Sequence, residues 1–102
     1  MPKKEIPIAC SLNDAEFRKR REGILTEIKE GIRATDELKN GFRFTFPADD
    51  DWIRKITEMI VLERACCPFL NFKLHLGAGG KPIILELSGR AGAKEFVTSL
   101  FS

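Results

Sequence analysis

A chain of 102 residues, 43% hydrophobic and 31% charged, has the size of one domain, 1–102, and can bury a core without disulfides or structural metal. Its net charge of +2 is too small to argue for nucleic acid, and no apolar run approaches the ~20 residues of a membrane span. The charged start Met1-Pro2-Lys3-Lys4-Glu5 leads into no apolar stretch, so no secretory signal is expected and a cytoplasmic location follows, where three cysteines are expected as free thiols, ligands or transient redox groups.

In chain order, Ile6-Pro7-Ile8-Ala9-Cys10 reads as a first, edge-type strand, because Pro7 cannot donate to a ladder. Ser11 or Asn13 can cap the helix that follows, with acidic Asp14 and Glu16 in its first turn. Phe17, Ile24, Leu25, Ile28 and Ile32 recur at helical spacing. The run Arg18-Lys19-Arg20-Arg21 is flanked by Glu16, Glu22 and Glu27, which suits a solvated helix face. Gly23 weakens this helix and Gly31 is a plausible stop.

Residues 32–46 predict a hairpin. Ile32, Ala34, Asp36 and Leu38 alternate, with Asp36 the exception to an apolar face. Asn40-Gly41 suits a type I′ turn. Phe42, Phe44 and Phe46 then share one face of a return strand ended by Pro47. Asp49, Asp50 and Asp51 crowd the start of a second helix, where negative charge is favourable. Its stripe is Trp52, Ile53, Ile56, Met59 and Ile60, and Pro68 stops it. Phe72, Leu74 and Leu76 alternate in a further strand, with Lys73 and His75 on its other face. A glycine-rich loop over 77–82 leads to the strand Ile83-Ile84-Leu85-Glu86-Leu87. Gly89 to Gly92 open a last helix carrying Ala93, Phe96, Val97, Leu100 and Phe101.

This pattern predicts an α+β domain, an antiparallel sheet with helices packed on one face. Its order is β(αββ)2α, around a ferredoxin-like core. The other sheet face is left for solvent or for a homodimer surface.

The segment Glu63-Arg64-Ala65-Cys66-Cys67-Pro68-Phe69 stands out. On a helix turning ~100° per residue, Glu63 falls within roughly 20° of the centre of the apolar stripe. Cys67 lies in the same band one turn later, and Cys66 at its border. A buried carboxylate is costly unless it is paired, protonated or bound. One ordinary reading pairs it with Arg21, which falls in the apolar sector of the first helix. The other reading is chemical. Glu63 reaches Cys66 at i+3 and Cys67 at i+4, and carboxylate beside thiolate calls for a cation or a proton between them.

Cys10, just before the first helix, is the third sulfur and by its position at a helix N-terminus the more acidic thiol. Soft thiolates select zinc, copper(I), mercury or arsenite-like ions, so Cys10, Glu63, Cys66 and Cys67 form the candidate metal set. A soft metal ion such as zinc is the implied cofactor, and a metal or metalloid ion the implied partner. No C-x-x-C or H-x₃-H spacing is present. His75, the single histidine, sits with Lys73 on an expected exposed face. Buried cysteines also often simply fill space. The turn Gly89-Arg90-Ala91-Gly92 could hold an anion but reads first as ordinary capping. Phe42, Phe44, Phe46, Phe69 and Phe72 could line a pocket but read first as core.

Glu63-x-x-Cys66-Cys67-Pro68-Phe69-x-x-Phe72, the glycine loop, the apolar strand and Gly92-Ala93-Lys94-Glu95-Phe96, with Cys10 upstream, resemble a group of small uncharacterised bacterial proteins. Similar sequences accompany or extend heavy-metal-responsive regulators. The resemblance implies a thiol–metal role for Cys10, Glu63, Cys66 and Cys67, although no DNA-binding helix-turn-helix is recognisable. Two other readings stand beside soft-metal binding: a thiol-dependent enzyme or redox protein, and a non-enzymatic dimerising domain with structural cysteines.

Overall fold

The computed structural model describes residues 15–101. The expected first strand Ile6–Cys10 and the capping residues Ser11 and Asn13 lie outside the described residues. Within them run α1 (Ala15–Gly31), β1 (Ala34–Leu38), β2 (Gly41–Phe46), α2 (Asp50–Cys66), β3 (Asn71–His75), β4 (Ile83–Ser88) and α3 (Ala93–Leu100). The described residues are therefore α+β, with a four-stranded antiparallel sheet and three helices. None of the described helices is long and apolar enough to cross a membrane.

The sheet order is β1-β2-β4-β3. Because β2 and β3 each pair antiparallel to β4, they run parallel to each other with β4 between them. Helix α2 joins them, which makes β2-α2-β3 a split βαβ unit. The ferredoxin-like core was expected to begin with the N-terminal strand. In the described sheet the split unit instead begins at β2, and β2 and β4 meet directly with no strand between.

One face of the sheet is apolar. Register brings Phe42 opposite Leu87, Phe44 opposite Leu85 and Phe46 opposite Ile83, and it brings Phe72 opposite Leu87 and Leu74 opposite Leu85. These side chains meet Leu25 and Ile28 of α1, Ile56 and Met59 of α2 and Val97 of α3 in one core. The strict alternation of β2 and β4 fixes this face, since successive side chains point to opposite sides. The opposite face carries Arg43, Lys73, His75 and Glu86. Arg43 Nε lies 3.2 Å and His75 Nε2 3.5 Å from Glu86 Oε2.

Three local expectations need correction. The alternating set of β1 is real but faces the other way: Ala34 lies opposite Thr45 and Asp36 opposite Arg43, on the polar side. Leu38 lies opposite Gly41. The strand is tied to β2, and its apolar residues are too small and too few to claim the core face.

The hairpin turn is Lys39-Asn40, not a type I′ Asn40-Gly41. Such a turn needs positive φ at both central residues, and the described residues with positive φ are Gly79, Gly80 and Gly92. Gly41 serves another purpose. A Cβ there would lie 1.9 Å from the Leu87 carbonyl oxygen and 2.7 Å from Ser88 Cα, so glycine lets β2 approach β4.

Gly31 ends α1, as expected, but its reason is packing: a Cβ would strike the Trp52 ring at 2.3 Å. Helix α2 begins as its acidic start implies. Asp49 is the N-cap, and its Oδ1 accepts a hydrogen bond from the Asp51 amide at 2.8 Å. Gly92 is the N-cap of α3 at φ 97°, a left-handed conformation that glycine adopts without steric cost.

Candidate thiol site

The site is built where α1 crosses the end of α2. On α2, Ile56, Met59 and Glu63 follow at i, i+3 and i+7, which puts them on one face. All three are buried, and Glu63 is 0% exposed. This is the inward placement expected from the helical stripe. Cys66 closes the helix and Cys67 is its C-cap. The Cys67 amide still donates to the Glu63 carbonyl at 2.5 Å, so one last helical bond holds the cap residue over Glu63. Both sulfur residues are 0% exposed. Cys66 is therefore fully buried rather than at the border of the buried stripe as the helical projection placed it, in the same core cluster as Phe69 and Leu70 beyond Pro68.

Arg21 of α1 answers the buried carboxylate. Its Nε donates to Glu63 Oε2 at 2.5 Å and its Nη2 to Oε1 at 3.0 Å, the two-toothed geometry that planar guanidinium makes with carboxylate. The Arg21 side chain is 15% exposed against 1% for Glu63, so the ion pair is sealed on the α2 side and open at the α1 rim. Ion pairing with Arg21 was one of the sequence readings of Glu63, and it is the arrangement present.

The sulfur of Cys67 completes a triangle. Its Sγ–H points to Glu63 Oε1 at 3.7 Å, and Arg21 Nη2 lies 3.9 Å from the same sulfur. Burial is the largest cause that pushes the Cys67 thiol up from 9.0 to about 12, and the negative charge of Glu63 adds to it. The charge of Arg21 acts in the opposite sense and is outweighed. Burial disfavours the charged guanidinium of Arg21, but its hydrogen bond and charge attraction to Glu63 prevail and hold its proton more tightly than usual. At neutral pH Cys67 is therefore a protonated thiol beside a matched pair of charges.

The remaining expected members divide. Cys66 is disulfide-bonded, while Cys67 is free and buried. In this state the Cys66 sulfur is neither a free thiol nor a free ligand, which leaves a redox group among the three roles expected of the cysteines, and reduction is needed to free it. Cys10 lies outside the described residues. His75 is half exposed and faces Glu86, on the sheet side away from the helices.

A tetrahedral zinc bound to one sulfur at ~2.3 Å and one oxygen at ~2.1 Å separates those atoms by about 3.6 Å. Cys67 Sγ and Glu63 Oε1, 3.7 Å apart, match that spacing. Both Glu63 oxygens, however, already accept from Arg21, so a cation bound through Glu63 must displace the guanidinium. Among the described residues no group of three or more His, Cys, Asp or Glu side chains is arranged to hold a metal.

The contact between Arg21 and the Cys67 sulfur was not foreseen from the sequence. Its signal is present there: a lone basic residue sits one turn before Leu25 on the buried face of α1. No family model, no curated protein and no solved structure matches this chain.

Proposed function

We propose that the reduced protein binds a soft metal or metalloid ion through the thiolates of Cys66 and Cys67, with Cys10 as a further ligand. Glu63 takes the part of proton acceptor for Cys67, and Arg21 that of counter-ion to the thiolate. The observation that carries this reading is the Arg21–Glu63–Cys67 triangle at the buried end of α2. It gives a thiol both an acceptor for its proton and a fixed positive charge to stand beside the anion. Binding replaces the S–H proton by the ion, the proton leaves by way of the carboxylate, and Arg21 remains as the balancing charge. Soft ions are favoured over hard ones because sulfur is the donor. In the same reading the fold is a ferredoxin-like sheet entered one strand late, with β1 and β2 preceding the split βαβ helix.

The test is a zinc titration of the protein reduced by a phosphine, followed by native mass spectrometry. One ion retained by the wild type and lost in Cys66→Ser and in Cys67→Ser is the expected result. No retained ion and no proton release on titration overturns the reading.

A second reading is favoured by a different observation, the disulfide at Cys66 beside the free thiol of Cys67. Here the cysteines form a reversible thiol–disulfide couple rather than a metal site. A thiol count of one under non-reducing conditions and three after mild reduction, with no metal retained in either state, distinguishes it.

A further inference from the structure

Toward the other end of α1 from the thiol triangle, a cavity of about 350 Å³ opens between α1, α3 and the β1 end of the sheet. It exists because two covering elements stop short. Strand β1 contributes Thr35 to the apolar face beside Phe44, a side chain too small to fill the space. Helix α3 is only 8 residues long and lays Val97, Thr98 and then Phe101 along the opposite wall. Phe42 and Phe44 form the floor.

The rings are already arranged for an aromatic guest. Phe42 and Phe44 stack with centroids 6.1 Å apart, and Phe101 meets Phe44 edge-on at 5.1 Å. Offset stacks and edge contacts of this kind are the preferred geometries of aromatic pairs.

Among the lining residues, Lys29 is the one charged side chain. Lys94, a cation beside this wall, is engaged elsewhere: its Nζ reaches Glu37 Oε2 at 2.7 Å and lies over the Phe42 ring. Lys29 makes no such pair among the described residues. An apolar cleft with a single cation at its mouth selects a guest that is apolar at one end and anionic at the other. The volume lies at the low end of the ~300–1,000 Å³ typical of small-molecule pockets, which suits one ring and not a dinucleotide or a flavin.

We propose that this cavity binds a monocyclic aromatic carboxylate, its ring against Phe42, Phe44 and Phe101 and its carboxylate on Lys29. The site is independent of the thiol chemistry, since Lys29 lies eight residues and ~12 Å along α1 from Arg21.

The experiment is an NMR titration of the full chain with phenylacetate and, separately, with its uncharged analogue 2-phenylethanol. Saturable shifts at the Val97, Thr98 and Thr35 methyl groups are expected with phenylacetate. The alcohol should bind about tenfold more weakly, the worth of one charge-assisted hydrogen bond. Lys29→Met should weaken phenylacetate about tenfold and leave 2-phenylethanol unchanged, while Lys29→Arg restores the acid. Lys29 is exposed on α1, so neither variant threatens the fold. Absence of saturable shifts up to roughly 10 mM phenylacetate, a range that still detects millimolar binding, overturns the proposal. So do equal affinities for acid and alcohol, or shifts of these methyl groups that track protein concentration alone and mark a contact between copies of the chain.

Discussion

Arg21 and Glu63 are 42 residues apart in sequence and share two hydrogen bonds, with the carboxylate wholly enclosed and the guanidinium at the rim. The pair locks one register of α1 against α2. A buried ion pair is weak grounds for net stability, but breaking one by removing a single partner is costly. Arg21→Met leaves the enclosed Glu63 carboxylate without its cation and should cost roughly 3 kcal/mol or more. Glu63→Gln should cost less, because Arg21 keeps part of its hydration at the rim. Arg21→Met with Glu63→Leu together should cost less than the sum of the singles. Urea unfolding of the four proteins gives the coupling energy, and simple additivity would show that the pair is not coupled.

The thiol of Cys67 sets a second expectation, in pH. Its proton is held more tightly in the folded protein, at about 12, than at its ordinary value of 9.0. The folded state therefore binds more protons than the unfolded state between these values, and stability falls as pH rises through that window. Relative to Cys67→Ala, the wild type should lose a few kcal/mol at most between about pH 9 and pH 12, and nothing below. Iodoacetamide should label Cys67 slowly at pH 8 and faster only as pH approaches 12. Rapid labelling at pH 7 would contradict the buried, protonated thiol.

Glycine substitutions should separate by space. Gly41→Ala drives a methyl group into the Leu87 carbonyl, a backbone atom that cannot swing aside, so β2 must part from β4. A loss of more than about 2 kcal/mol is expected, beyond the usual range for surface changes. Gly23→Ala meets nothing within 4 Å on an exposed helical site and should stabilise by roughly 0.5–1 kcal/mol. Thermal unfolding of both variants checks the sign of each.

Asp49→Ala removes the side chain that accepts from the Asp51 amide. It should cost about 1 kcal/mol. Arg54→Ala breaks an exposed i,i+3 pair with Asp51 and should change stability by less than ~0.5 kcal/mol.

The legible parts of the fold were those written in strict periodicity. The three phenylalanines of β2, the alternation of Phe72 and Leu74 in β3 and the stripe of α2 fixed one sheet face and one helix face without further information. The inward position of Glu63 followed from the same arithmetic, and Arg21 was named as a partner because it interrupts the apolar side of α1. Strand pairing was harder to read. A two-residue periodic pattern says which side chains share a face but not which strand lies alongside, so the direct pairing of β2 with β4 went unseen. Asn40-Gly41 carried a turn signal, yet the glycine answers to a neighbouring strand that is distant in sequence. The full burial of Cys66, in one core cluster with Phe69 and Leu70 beyond the helix, lies past where a helical projection ends.

Strand β1 has one more consequence. It forms one margin of the described sheet, its sequence Ala34-Thr35-Asp36-Glu37-Leu38 is almost entirely exposed, and it carries two adjacent carboxylates. An edge of unpaired backbone amides invites another chain to add a strand, and charge on that edge discourages it. Two copies meeting margin to margin would bring Asp36 and Glu37 together with their counterparts. Asp36, which looked like a flaw in an apolar face, thus places with Glu37 a like charge that would disfavour such a pairing.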